Sequence, residues 1–126
     1  MKTLQIVTTA YRCNIEEQDD PVLWISQAMK AAGADLHVLL EGQAVDYAAK
    51  GQEASGLSFG GKKQTQPPRI EDDLKRLVAT GAQVFALEED VAARGLERAD
   101  LIEGIKGASL ADLPRLFAGY NRIWRW

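Results

Sequence analysis

The most reactive side chains in this sequence belong to its single cysteine, Cys13, and its single histidine, His37. Arg12 directly precedes Cys13 and favours the thiolate, which in a loop is a nucleophile or a sulfur acceptor. The other interpretation is a loop cysteine without chemistry, and the sequence favours it, because it demonstrates no partner base for Cys13. His37 is either that base or, since it lies within a predicted strand, a structural histidine held by hydrogen bonds.

A run of three carboxylates, Glu88, Glu89 and Asp90, is the second candidate for chemistry. Clustered carboxylates bind Mg²⁺ or raise one another's pKa for acid–base work. The alternative is the acidic first turn of a helix, which the helix dipole favours, and adjacent residues point in different directions. The sequence favours this second interpretation.

The first half of the chain predicts a strand, a helix and a second strand. Thr3–Ala10 is β-branched and mostly apolar, and Asp20 followed by Pro21 is a helix start. Asp35–Glu41 is the second strand, so the order implies a right-handed parallel crossover and an α/β fold. The predicted apolar stripe of the helix comprises Val22, Ile25, Met29 and Ala32.

The second half continues this alternation after a short helix over Gly42–Lys50 and a glycine-rich excursion over residues 51–68, which we expect to be a mobile loop. Further strands are predicted at Gln83–Leu87, Ile105–Ala108 and Asn121–Trp126. The predicted stripes of the two later helices are Ile70, Leu74, Leu77 and Val78, and then Leu110, Leu113, Phe117 and Tyr120.

Together these elements predict a three-layer α/β/α single domain over residues 1–126, with a mostly parallel sheet of about five strands. Open parallel sheets bind ligands beyond the carboxyl ends of their strands. The residues that follow the first three strands are therefore the predicted binding residues, alongside Cys13. They are Thr9, Tyr11, Arg12, Glu41, Gly42, Glu88, Glu89, Asp90 and Arg94.

Composition limits the classes of protein to which this chain can belong. The 126 residues carry a net charge of −3, which disfavours binding to nucleic acid or an anionic membrane, and no long apolar run predicts a membrane span. One cysteine excludes an intrachain disulfide, and with one histidine it excludes a Cys/His zinc site within one chain. We therefore expect a cytoplasmic protein, and the sequence implies no metal or cofactor.

The aromatic pattern of the C-terminal segment Arg122–Trp126 indicates that the protein self-associates. Trp124 and Trp126 alternate along the last strand and fall on one face of it. Large aromatic side chains at an open sheet edge are typical of subunit contacts. Stacking on RNA bases is the alternative, which the acidic composition disfavours.

Several local strings occur in a distinctive order along nearly the whole chain. Thr3–Val7 opens a strand, and Ala31–Val38 leads to Glu41–Val45. Ala92–Leu96 is followed by Leu101–Ile105, and Ala111–Pro114 lies near the end. Taken together, these strings resemble the DsrE/DsrF-like (YchN-like) family of small sulfur-relay proteins. The resemblance implies a three-layer α/β subunit that assembles into homotrimers or homohexamers and has pockets near its subunit contacts.

Family members that carry persulfide sulfur use a cysteine shortly after the third strand, a few residues before an Arg-Gly pair. The corresponding stretch here, Leu87–Gly95, contains no cysteine. We therefore expect a DsrE-like oligomeric binding or assembly protein, linked to intracellular sulfur metabolism but without persulfide transfer and not an enzyme. The alternatives are a sulfur carrier that uses Cys13 with a sulfur-relay protein partner, and a small-ligand or metal-dependent enzyme that uses the acidic cluster.

Overall fold

A computed structural model describes residues 1–10, 20–52 and 56–126 of the chain. Tyr11, Arg12 and Cys13 therefore lie outside the described residues. The described residues contain seven strands, four α-helices and three short 3₁₀ helices. The strands are β1 (Thr3–Val7), β2 (Leu36–Leu40), β3 (Ser58–Phe59), β4 (Lys62–Lys63), β5 (Val84–Leu87), β6 (Lys106–Ala108) and β7 (Arg122–Arg125), and the helices are α1 (Pro21–Ala31), α2 (Ile70–Ala79), α3 (Glu88–Ala93) and α4 (Leu113–Ala118).

Five strands form one sheet in the order β6-β5-β2-β1-β7, and every neighbouring pair is parallel. This confirms the predicted α/β class and the fifth strand at the C-terminus. The short strands β3 and β4 form a separate antiparallel hairpin within the predicted 51–68 excursion. Mobility of that excursion stays a prediction.

The sheet has an apolar core on each face, which gives the three layers. One core joins alternate residues of the central strands to α1, α2, α3 and the 3₁₀ helix Gly42–Ala48. The other, smaller core joins Leu4, Ile6, Leu39, Phe85 and Ala108 to α4. Because β1, β2 and β5 are covered on both faces, their sequences are mainly apolar, with buried polar exceptions such as Gln5 in β1 and His37 in β2.

The start of α1 follows the sequence prediction, but its buried face does not. The Asp20 carboxylate accepts the backbone N–H groups of Val22 at 2.9 Å and Leu23 at 3.3 Å, as an N-cap does. Of the predicted stripe, however, Ile25 and Ala32 are exposed. The helix instead buries Val22, Leu23 and Ser26.

Ser26 is buried because its hydroxyl donates to the carbonyl oxygen of Val22 at 2.7 Å, which satisfies the polar group inside the helix. A stripe chosen by hydrophobicity alone does not include such a residue. The α2 stripe was predicted more accurately, since Ile70, Leu74 and Leu77 are all buried.

The last helix begins later than its predicted apolar stripe. Ser109 and Asp112 form the predicted capping box, but they enclose a 3₁₀ helix, Leu110–Asp112, that precedes α4. Leu110 is 56% exposed and is therefore not part of the core. Pro114 lies in the first turn of α4, where a missing N–H does no harm.

Candidate functional site at the carboxyl edge of the sheet

The parallel sheet gathers the described candidate residues at its carboxyl edge. Glu41 and Gly42 follow β2, and Glu88–Asp90 follows β5 within α3. Thr9 is exposed beyond the end of β1. These residues therefore lie at the edge that the parallel topology predicts, and a binding role for them stays a prediction.

Asp90 is used to hold the start of the 3₁₀ helix that follows β2. Its Oδ2 atom accepts the backbone N–H of Gly42 at 2.6 Å. Gly42 has a φ of +55°, which only a residue without Cβ adopts at no cost, so the chain turns sharply here and aims this N–H at α3. The carboxylate therefore links the ends of β2 and β5.

Glu89 is used in the same way on the other side of β5. Its two carboxylate oxygens each lie 3.0 Å from the backbone nitrogen of Leu110, which donates to them. This contact ties α3 to the 3₁₀ helix that follows β6.

Glu41 links β2 to the edge strand β7. It is buried at the end of β2 and forms an ion pair of 3.0 Å with Arg125 of β7, across the intervening strand β1. The end of β1 is also bonded to β7, because the Thr8 hydroxyl donates to the carbonyl oxygen of Trp126 at 2.5 Å. The edge strand is thus fastened to the sheet at its carboxyl end.

Arg94 pairs with Asp46 of the 3₁₀ helix, its Nε donating to Oδ1 at 2.6 Å. The four side chains Glu41, Glu89, Asp90 and Arg94 therefore all make links between elements. Across residues 1–10, 20–52 and 56–126, no three His, Cys, Asp or Glu side chains are grouped so that they could hold a metal ion.

The sequence predicts only one of the two roles of Asp20, which also lies at this edge. Asp20 is fully buried, and besides capping α1 it accepts the hydroxyl of Tyr47 at 2.7 Å. The sequence indicates the cap through the Asp-Pro pair. It carries no signal for the distant tyrosine, which the 3₁₀ helix brings to this position.

His37 is a structural histidine, as its position in β2 indicates. Its Nδ1 accepts the backbone N–H of Gln83 at 2.8 Å, so Nε2 carries the proton and donates to Asp35 at 3.0 Å. Tyr120 packs edge-on against the ring. Burial lowers the pKa of His37 from 6.5, although the hydrogen bond to Asp35 opposes this shift.

A cavity of about 230 Å³ opens beside the edge, between β5, α3 and the segment that leads into β6. Its walls are mainly apolar, and Glu88 and Arg98 are the charged residues among them. Sequence reasoning singled out Glu88 but missed Arg98 and the cavity itself. The residues that line it are Ala86, Glu88, Val91, Ala92, Leu96, Arg98, Leu101, Ile105 and Gly107.

Several solved structures share the overall fold of this chain. The crystal structure of the ychN protein from E. coli matches with a TM-score of 0.75 and 20% sequence identity, covering 100% of both chains. The chain has the YchN-like fold. This finding confirms, at the level of the fold, the resemblance to the DsrE/DsrF-like (YchN-like) family.

Two proteins of unknown function share the YchN-like fold with this chain. One is MTH1491 from Methanobacterium thermoautotrophicum, with a TM-score of 0.63, 16% identity and coverage of 99% of this chain and 98% of that one. The other is BT1422 from Bacteroides thetaiotaomicron, with a TM-score of 0.67, 15% identity and coverage of 99% and 95%. No protein-family model matches the sequence. No curated protein matches it either.

Within the YchN-like fold, the stretch that the resemblance associates with a persulfide cysteine is the end of β5 together with α3. Here the first turn of that helix holds Glu88, Glu89 and Asp90. Two of these carboxylates accept backbone N–H groups, and the third lines the cavity.

Within the described residues, no helix has both the length and the apolar character needed to cross a membrane.

Proposed function

We propose that this protein is a DsrE-like binding or assembly protein that works as a homotrimer or homohexamer in the cytoplasm, around sulfur metabolism but without carrying persulfide. The observation that supports assembly is that β7 is an exposed edge strand. This strand lies at the edge of the sheet, and all four of its residues are exposed. Its outer backbone groups are a template for another chain.

The apolar side chains of this edge fit contact with a second copy of the same chain. Ile123, Trp124 and Trp126 are 39%, 40% and 43% exposed. The two tryptophan rings meet edge to face at 6.5 Å, and Trp126 donates its indole N–H to Gln5 at 2.6 Å, so the aromatic surface is pre-ordered. Pre-ordering lowers the entropic cost of association.

The charge of the edge also fits self-association. Arg125, which would otherwise repel a copy of itself, is paired with the buried carboxylate of Glu41. An isologous contact at a two-fold axis requires such a self-complementary surface. A homohexamer with dihedral symmetry contains two-fold axes of this kind, so the β7 edge suits that assembly in particular.

The test is the molar mass in solution, measured by light scattering on a sizing column. We expect an oligomer for the natural sequence and a smaller species for Trp124→Lys. Trp24→Lys is the matched control, because Trp24 is equally an exposed tryptophan but lies on α1. A monomeric natural protein would contradict the proposal, as would a control variant that dissociates while Trp124→Lys does not.

The proposed lack of persulfide transfer is tested separately by intact-mass measurement after incubation with a persulfide donor. The expected result is no gain of one sulfur atom. A gain that disappears in Cys13→Ser would instead establish the sulfur carrier that uses Cys13.

A further inference from the structure

We propose that the cavity beside α3 binds a small zwitterion with an apolar body, of the class of free aliphatic amino acids such as leucine. This site is separate from the β7 contact, so either can fail without the other. The proposal rests on the walls of the cavity, on the placement of Glu88, on Arg98 and on the size of the space.

The walls favour an apolar ligand body. Ala86 of β5 and Val91 of α3 form part of the lining, with Leu96, Leu101 and Ile105 from the segment between α3 and β6. Burying aliphatic surface against such walls is favourable by about 25 cal/mol for each Å² removed from water. A fully hydrophilic ligand would gain nothing from them.

Glu88 is placed at the cavity by a glycine. A side chain at Gly107 in β6 would collide with the carboxylate of Glu88, so the glycine makes room for this group over the strand. Both residues line the cavity. Within the described residues, the Glu88 carboxylate has no hydrogen bond or ion pair, unlike those of its neighbours Glu89 and Asp90.

Arg98 supplies the opposite charge. It begins the 3₁₀ helix Arg98–Asp100, which a capping box between Glu97 and Asp100 fixes, and it is exposed where it lines the cavity. In the described part of the chain its guanidinium pairs with no carboxylate, including that of Glu88. A guanidinium binds a carboxylate by paired hydrogen bonds.

The two charges together define the ligand class. An ammonium group would meet Glu88 and a carboxylate would meet Arg98, while the side chain of the ligand enters the apolar space. The volume of about 230 Å³ equals that of roughly eight liquid waters, which suits a small aliphatic amino acid and is too small for a typical drug-sized ligand.

The experiment compares three probes by amide NMR of the whole protein. Leucine carries both charges, isocaproate has the same chain without the ammonium, and isoamylamine lacks the carboxylate. We expect leucine to shift the amides of Val91, Leu96 and Ile105, with binding about tenfold tighter than that of either single-charge probe.

Two variants assign the charges. Glu88→Gln is expected to weaken leucine about tenfold and leave isocaproate unchanged, and Arg98→Gln to weaken leucine similarly and leave isoamylamine unchanged. Glu103→Gln and Arg115→Gln are matched controls, because both residues are exposed and neither lines the cavity. They are expected to bind leucine as the natural protein does.

Three results would overturn the proposal. One is that none of the probes shifts the amides around the cavity. Another is that isocaproate or isoamylamine binds as tightly as leucine, which would leave one of the two charges without a role. The third is that the control variants weaken leucine as much as Glu88→Gln and Arg98→Gln do.

Discussion

Glu88 and Asp90 stand in the same turn of α3 and have opposite surroundings. Asp90 accepts a backbone N–H from Gly42, while Glu88 lies against Gly107 beside an apolar cavity. Consecutive acidic residues in one helix turn point in different directions, so one carboxylate is used for structure and the other is left for a ligand. Charged residues at the carboxyl edge of a parallel sheet are therefore not sufficient evidence of a ligand-binding site.

The same contrast holds for the whole edge. Asp20, Glu41 and Glu89 each have partners on other elements. The cavity, by comparison, has two charged residues without partners in the described part of the chain. Variants at the edge should therefore lower stability, whereas variants at the cavity should alter ligand binding.

The largest effect on stability is expected for Asp20→Ala. This change removes the cap of α1 and also removes the hydrogen bond that Asp20 accepts from the buried hydroxyl of Tyr47. The free energy of unfolding should fall by about 3 kcal/mol, measured by urea denaturation. Tyr47→Phe keeps the cap and should cost about 1 kcal/mol. Equal losses in the two variants would show that the cap contributes nothing.

Asp90→Ala and Glu88→Ala compare the two carboxylates of α3 directly. Loss of the charged acceptor of the Gly42 N–H should lower the free energy of unfolding by about 1.5 kcal/mol. Glu88→Ala removes no contact of this kind and should change it by less than about 0.5 kcal/mol. A larger loss for Glu88→Ala than for Asp90→Ala would reverse the assignment of the two roles.

His37, near the amino end of β2, should make the stability of the protein depend on pH. Because its pKa in the folded chain lies below 6.5, the unfolded chain binds the proton first as the pH falls. Stability should therefore decrease from about pH 6.5 down to the lowered pKa and be independent of this group above that range. Urea denaturation across this range checks it, and in His37→Gln this part of the pH dependence should vanish. A natural protein that becomes more stable on acidification through the same range would contradict the account.

The smallest change in stability is expected for Gly107→Ala. The atoms nearest to the new methyl group all belong to the side chain of Glu88, which is flexible and can swing away, so the free energy of unfolding should change by less than about 0.5 kcal/mol. Leucine binding should weaken nonetheless, because the carboxylate leaves the cavity. Unchanged leucine affinity in a folded variant would show that the position of Glu88 does not matter.

Much of the fold was predictable because local signals and apolar periodicity determine it. The Asp20-Pro21 helix start, the Ser109–Asp112 capping box and the strand at the C-terminus are all present. The errors occur where a buried polar group is satisfied within its own helix, as at Ser26. They also occur where a capping box encloses a separate 3₁₀ helix before the α-helix begins, as at Leu110.

The candidate site was predictable only in part. The carboxyl edge follows from the parallel topology, but the partners of Asp20 and Glu41 are far away in the sequence, at Tyr47 and Arg125. The cavity depends on Gly107, and a glycine inside a predicted strand does indicate close approach of another group. The sequence does not say which group approaches, so the pairing with Glu88 required the structure.

The most direct test of the difference between the edge and the cavity is a crystal structure of the protein grown with leucine. The account predicts leucine in the cavity, with its ammonium within hydrogen-bonding distance of Glu88 and its carboxylate against Arg98, while Asp90 still accepts the N–H of Gly42. Leucine bound instead by Asp90 or Glu41 at the edge, or a cavity without leucine at saturating concentration, would contradict it.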